Sequence, residues 1–285
     1  MKTPHRQKKI DLLLLPDYTP STNFLTDIFY LWCKSLVKNK KINYIHFESV
    51  PSTSTWAKEN ASILDPQKVT CITAQEQSAG RGQFSRKWFS PKGLNIYATL
   101  FFCLSKDFPF LQNIGQIASI STCKTLEVLG FSPQIKWPND LLLDGKKVSG
   151  ILSETIQLPD YIGIALGIGC NINMPKELTD QIDQKATSLM QISGKTWSLE
   201  EVLQAFLEQF LNDFSTLELE GFESFQSYYN SLLAFKDEPI TIKDGSRSFQ
   251  GICKGSTKTG KLILLLPSGK EVEIYSGEIP PGCGA

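Results

Sequence analysis

Leu203, Phe206, Leu207, Phe210, Leu211 and Phe214 recur every three or four positions, the spacing of one helical face. Ser198, with Glu201 three residues on, forms a capping box just ahead of them, so an amphipathic helix starts there. Apolar residues at 111, 114, 117, 118, 126 and 129 repeat a helical spacing, and Gly130 is placed to cap the end. A further helix is predicted over 221–234, and the polar turn in "ESVPSTSTWAKENA" (48–61) leads into a short one. Strand candidates are "INYIHF" (42–47), "VTCITA" (69–74) and "LNIYATLFFCL" (94–104), the last read as a long alternating strand. "YIGIALGIGCNIN" (161–173) reads as a buried strand running into a loop. In "QIKWPNDLLLDGKKVSGILSE" (134–154), Asp144-Gly145 between two apolar stretches predicts a hairpin, because a two-residue turn needs positive φ.

The texture changes after Phe235. Short strands "PITI", "SFQGIC", "KLILLL" and "EVEIYS" alternate with "KDG", "KGSTKTG" and "PSG" turns, which predicts a small separate β-barrel over 236–285. Residues 42–234 then form the main α/β domain. Residues 1–41, ending in the polar "KNKK", stand as an unassigned amino-terminal extension.

Composition narrows the class. A length of 285 residues suits about two domains, and 41% hydrophobic with 20% charged residues is ordinary for a soluble globular chain. Lys plus Arg equals Asp plus Glu, 29 against 29, so no global field draws in nucleic acid or an anionic membrane. Any anion site must be local. The longest apolar runs, such as "LILLL" at 262–266, fall far short of the ~20 residues of a membrane span. The basic amino terminus precedes an apolar run of only four residues, so no signal peptide is expected. Seven scattered cysteines with no C-x-x-C, beside two histidines, leave almost no zinc ligand set and suit reduced thiols in a cytoplasm.

The local anion site has a candidate in "AGRGQFSRKWFSP" (79–91). Glycines let backbone N–H groups approach an anion, Arg81 adds a planar fork, Arg86 and Lys87 add charge, and Trp88 offers a stacking face. That inventory suits a polyanion with a planar ring; a solvated basic loop beside a core tryptophan is the plainer alternative. Familiar phosphate motifs do not account for it. The one "GKT" (194–196) has Leu189 where a P-loop needs its first glycine, and G-x-G-x-x-G fails at Ser85 and again at Ile172. A second cluster, "KWPND" (136–140), sets Asn139 and Asp140 beside a strand-breaking proline, with Lys147 returning across the hairpin. A third, Asn171 and Asn173, follows a buried strand and could serve as turn formers or as base-reading amides.

"EQSAGRGQFSRKWFSP", "KWPNDLLLDGKKVSGIL" and "GIGCNIN", in this order and ahead of a small β-rich tail, resemble the biotin–protein ligases over roughly 44–277. The resemblance implies an α/β (α+β) mixed-sheet catalytic domain followed by an SH3-like barrel. It also implies attachment of biotin to one lysine of a biotin carboxyl carrier protein through biotinyl-5'-AMP, with ATP and Mg2+. By the same resemblance Ser52, Thr53, Ser54 and Gln77 meet biotin, with the Gly80, Arg81, Gly82 and Gln83 loop. Arg81, Arg86, Lys87, Trp88, Asn139 and Asn171 meet the nucleotide. Lys147 touches both and is the foremost catalytic candidate, with Arg81 and Asp140 beside it; Asp140 either positions Mg2+ or takes a proton from the incoming amine. Metal ligands are not assigned, and monomer and homodimer both stay open. Three residues depart from the family pattern: Gln83 replaces a usual arginine, Ser85 a usual glycine, and Ser54 an asparagine. Lipoate–protein ligases and octanoyltransferases, which share the sheet, are not expected to carry the full motif set. A biotin-responsive DNA-binding repressor would need an amino-terminal domain of about 60 residues with a basic face, more than the extension offers. A biotin-binding descendant without catalysis is disfavoured by the presence of Arg81, Arg86 and Lys147.

Overall fold

A computed structural model of the chain describes residues 42–280; the extension 1–41 and residues 281–285 lie outside it. Seven strands make one mixed sheet: β1 (Ile42–Val50), β2 (Val69–Gln77), β3 (Ile96–Leu104), β4 (Gln134–Lys136), β5 (Asp140–Leu143), β6 (Lys146–Gln157) and β7 (Ile162–Cys170). Their order is β1-β2-β3-β7-β6-β5-β4, with β1 and β2 parallel and the other neighbours antiparallel.

Helix α1 (Thr53–Glu59) lies on one face, over Ile72, Phe101 and Ala165. Helices α2 (Ile114–Val128) and α5 (Leu199–Glu220) cover the other; the short α3 (Lys176–Thr179) and α4 (Leu189–Ser193) precede α5, and α6 (Glu223–Leu232) follows it. The reading of β3 as an alternating strand is therefore corrected. All nine of its positions are buried, because a central strand with helices on both faces has no solvent side.

The helix signals hold up. Glu201 N–H donates to Ser198 Oγ at 3.2 Å, Gly130 takes φ 92°, and α2 follows a single 3-10 turn at Leu111–Asn113. Phe102 packs against both Phe210 and Phe214, so the apolar stripe of α5 seals this side of the sheet. Among the described residues no helix is long and apolar enough to cross a membrane.

The remaining strands, β8 (Pro239–Asp244), β9 (Arg247–Ser256), β10 (Leu262–Leu265) and β11 (Glu271–Ile274), form a four-stranded antiparallel sheet of their own. Its apolar residues Ile242, Cys253 and Leu264 are continuous with the main core. Polar side chains of α2 and α6 also hold it. Gln116 Nε2 donates to Gly260 O at 2.6 Å, and Asn230 Oδ1 accepts from Ser256 N–H at 2.8 Å. This docking brings Glu278 and Ile279 to the rim of a cleft in the first domain.

Candidate active site

One cleft runs over β6 and β7, between the start of α1, the glycine loop and the β4–β5 turn. At one end Ser52 caps α1, its Oγ accepting from Thr55 N–H. Thr53 donates through its N–H to Gln77 Oε1 at 2.9 Å, and Ser54 Oγ lies 3.0 Å from Thr99 Oγ1, which in turn donates to Thr53 Oγ1 at 2.8 Å. The chain continues from Gln77 Nε2 to Ser90 Oγ at 3.0 Å, and from Ser90 Oγ to Trp88 O at 3.0 Å. This end is a wall of neutral, hydrogen-bonded hydroxyls and amides. Helix and sheet meet this closely because residue 167 is glycine; a Cβ there would come within 2.6 Å of Ser54 Oγ.

The glycine loop is a closed hairpin and not an open nest of N–H groups. Gly82 N–H donates to Arg86 O at 2.8 Å and Trp88 N–H to Gly80 O at 2.9 Å, with Phe84 at φ 54° turning the tip. Gly80 serves this closure, since a Cβ would sit 2.5 Å from Trp88 O. The hairpin sets the Trp88 indole against Gly150 and Gly169; a Cβ at 169 would lie 2.4 Å from the ring and one at 150 would lie 3.0 Å from it. Gly169→Ala is expected to cost about 1–3 kcal/mol in urea unfolding, as overpacking does. In a Trp88→Ala background the same substitution should cost clearly less, because its collision partner is gone.

The other end of the cleft is charged. Asp140 pairs with Gly150 across β5–β6, and a bulge between Leu141 and Leu142 shifts the register. The extra residue, Val148, brings Lys147 round to the same side as Gly150 instead of the opposite one. Lys147 Nζ then reaches Asp140 Oδ1 at 2.6 Å and stands 5.3 Å from the centre of the Trp88 ring. Its backbone is clamped by Lys147 N–H to Lys185 O and Thr187 N–H to Lys147 O, both at 2.9 Å. Lys136 lines the same space. Burial, the largest influence, depresses its ammonium below the ordinary lysine range, and Lys147 and Arg86 push the same way against Asp140 and Glu278. Arg86 pairs with Glu278 from the carboxy-terminal sheet, and Arg81 with Glu154 on β6.

The structure brings almost all the sequence candidates together. Ser52, Thr53, Ser54, Gln77, Arg81, Gly82, Gln83, Arg86, Lys87, Trp88, Asn139, Asp140 and Lys147 all line the cleft. Gly80 lies behind the lining. Asn171 lines a smaller recess beyond Trp88 and Lys147, shared with Gln184 and Ala186. Its Nδ2 donates to Thr187 O at 3.0 Å, while its buried Oδ1 has no protein partner, and neither has Trp88 Nε1. Asn139 is a clamp: its Nδ2 donates to Ile151 O, and Ile151 N–H returns to Asn139 O at 3.0 Å. Asn173 clasps a distant stretch of backbone: its Oδ1 accepts from Trp197 N–H at 2.9 Å and its Nδ2 donates to Trp197 O at 2.8 Å. Sequence reasoning missed Lys136, Thr99, Glu154, Gln184 and Glu278 as parts of the site. Only Lys136 carried a signal, as the first residue of "KWPND".

A hydroxyl-lined end joined to a cationic end is what a neutral polar ring bearing a carboxylate, meeting a polyphosphate, requires. Residues 46–173 match the biotin/lipoate A/B protein ligase family, and residues 237–279 match the biotin protein ligase C-terminal domain. The chain belongs to the biotin protein ligase family. The bifunctional ligase/repressor BirA of Bacillus subtilis is 31% identical over 244 residues, covering 84% of this chain and 74% of that protein. A biotin–acetyl-CoA-carboxylase ligase of Paracoccus denitrificans is 31% identical over 220 residues, 72% of this chain and 90% of that protein. Among solved structures, the biotin protein ligase of Aquifex aeolicus in complex with biotin and ATP superposes with a TM-score of 0.71 at 30% identity, covering 84% of this chain and 97% of that one.

Proposed function

We propose that the protein joins biotin to a lysine of a biotin carboxyl carrier protein in two ATP-dependent steps. A biotin carboxylate oxygen attacks the α-phosphorus of ATP, the bond to the pyrophosphate oxygen breaks, and biotinyl-5'-AMP and pyrophosphate result. The carrier lysine amine then attacks the carbonyl carbon, AMP leaves, and the amine loses a proton.

The observation that carries this reading is the polarity of one cleft: neutral hydrogen-bonding groups at the Ser52 end and cations at the Lys147 end. Ser52, Thr53, Ser54 and Gln77 suit the ureido ring. Lipoate has no ureido ring to exchange hydrogen bonds with this wall, the basis for rejecting it. Bringing a carboxylate to a triphosphate opposes like charges; Lys147, Lys136 and Arg86 offset this and stabilise charge growing at phosphorus. Asp140 orients Lys147 in the first step and is the nearby carboxylate that can accept the amine proton in the second. Trp88 and the unpaired Asn171 Oδ1, a hydrogen-bond acceptor, suit an adenine ring with its amino group.

Among the described residues no cluster of three or more His, Cys, Asp or Glu forms a metal cage. Asp140 and Glu278, the carboxylates lining the cleft, would be the side chains to hold Mg2+ entering with the triphosphate, and the ion would offset charge on the phosphates. We place the reaction in the cytoplasm, where ATP is at hand and the buried free thiols Cys71, Cys103, Cys123, Cys170 and Cys253 stay reduced.

The test is ATP–pyrophosphate exchange with purified protein and Mg2+. Exchange that depends on biotin, and that lipoate does not support, is expected. Exchange supported equally by lipoate, or none with a folded protein, would contradict the reading. A second expectation concerns Gln83, which lines the cleft where the family carries a cation. Gln83→Arg is expected to slow release of biotinyl-AMP, by up to a few kcal/mol of added retention if the new charge is desolvated. Equal off-rates in the two proteins would remove that role.

A further inference from the structure

Glu154 has no part in the chemistry described so far, yet it grips two residues around the cleft. Arg81 Nη1 donates to Glu154 Oε2 at 2.9 Å and Arg81 Nη2 to Oε1 at 3.0 Å. Lys58 Nζ adds a 2.8 Å contact to Oε1. These residues come from three elements that build the site. Lys58 is on α1, whose first turn carries the hydroxyl wall; Arg81 is on the glycine hairpin; Glu154 is on β6, seven residues past Lys147. Burial, the largest influence, favours the neutral acid at Glu154, but the hydrogen bonds and charges of Lys58 and Arg81 outweigh it and keep the carboxyl below its ordinary range. A bidentate fork fixes orientation as well as distance, and it uses the paired N–H donors that a substrate carboxylate would otherwise take.

We infer that Glu154 is a positioning residue for adenylation: by engaging the Arg81 fork it pins the glycine hairpin over the cleft, leaving Lys147, Lys136 and Arg86 as the cations that face the reacting anions. The inference rests on the ligase reading for its chemistry. Arg81 serves as the anchor of its loop, and Trp88, seven residues on, is held on the Gly150–Gly169 floor by the same hairpin. Arg81 and Glu154 consequently act as one unit.

The experiment compares Arg81→Gln, Glu154→Gln, the double variant and the charge swap Arg81→Glu with Glu154→Arg. The first readout is biotin-dependent exchange, with kcat and the KM for biotin measured separately. The second, independent of turnover, is the rate of tryptic cleavage after Arg86 and Lys87 in the loop. If the fork is an anchor, either Gln variant loses roughly tenfold to hundredfold in kcat/KM through misplacement of the loop. The double variant then loses no more than about threefold beyond the singles, because a shared interaction is lost only once. Both singles are cleaved faster than wild type, and the swap regains protection and much of the exchange. The inference is overturned if Arg81→Gln loses about a hundredfold more exchange than Glu154→Gln, since Arg81 would then meet the substrate itself. It is equally overturned if Glu154→Gln matches wild type in exchange and in cleavage. Should the swap misfold, the three Gln variants complete the comparison. Should wild type show no biotin-dependent exchange, the ligase reading fails on its own, and the cleavage rates still decide the anchor.

Discussion

Replacing Lys147 by alanine is expected to lower biotin-dependent pyrophosphate exchange by about 10²–10³-fold or more, the loss typical when one preorganised charge-stabilising donor is removed. The geometry explains the size of the effect. The Lys147 side chain is only 15% exposed, its Nζ is fixed 2.6 Å from Asp140 Oδ1, and its backbone is clamped on both sides by the 185–187 segment. A cation so held needs no reorganisation as charge develops at phosphorus. Alanine removes that charge and leaves Asp140 facing the triphosphate, so like-charge repulsion adds to the loss. The neighbouring Lys146 is exposed and lies outside the cleft, and alanine there is expected to leave exchange within about twofold of wild type. Assaying the two variants in parallel, with unfolding curves to confirm equal stability, separates a role in the reaction from a general effect of lost positive charge.

Asp213→Ala is expected to destabilise the fold by about 3 kcal/mol, the low end of what removing one partner of a buried ion pair costs. Asp213, on α5, has a side chain only 6% exposed and accepts from three groups. Ser121 Oγ donates at 2.8 Å, Lys124 Nζ at 2.6 Å and Gln209 Nε2 at 3.0 Å. Two of these donors stand on α2, so the carboxylate fastens together the two helices that cover this face of the sheet. The low end of the range applies because Lys124 is 30% exposed and can turn to water when its partner is lost. Asp213→Asn keeps acceptor geometry for Ser121 and should cost less than alanine. Urea unfolding of the three proteins measures both differences; an alanine variant as stable as wild type would remove Asp213 from the account of helix packing.

How much of this the chain discloses in one dimension depends on the distance its interactions span. The capping box at Ser198 and Glu201 and the Asp144-Gly145 turn, at φ 49° and 69°, are local devices, and their physics is complete within a few residues. Lys147 meeting Asp140 was legible for the same reason, since one hairpin joins them. The bulge that turns Lys147 to the right side was not, because nothing in "LLLDGKKVSG" marks where the register slips. Nor was the double-sided burial of β3, which depends on helices drawn from both sides of it in sequence. Glu154 lies 73 positions from Arg81, and Glu278 lies 192 positions from Arg86. Those acids read as ordinary surface charges until the sheet and the carboxy-terminal strands are in place. The glycines at 150, 167 and 169 are the instructive middle case: visible in the chain, but intelligible only once Trp88 and Ser54 are seen against them.

The most direct test of the central claim is to incubate the protein with ATP, Mg2+, biotin and a biotin carboxyl carrier domain, and to weigh the carrier by intact-mass spectrometry. A mass gain of one biotinyl group (biotin less one water), on one lysine, absent without ATP and strongly reduced with Lys147→Ala, is the expected result. A carrier that stays unmodified while the protein forms and releases biotinyl-AMP, or while it only binds biotin, would contradict the claim that this cleft carries out both steps.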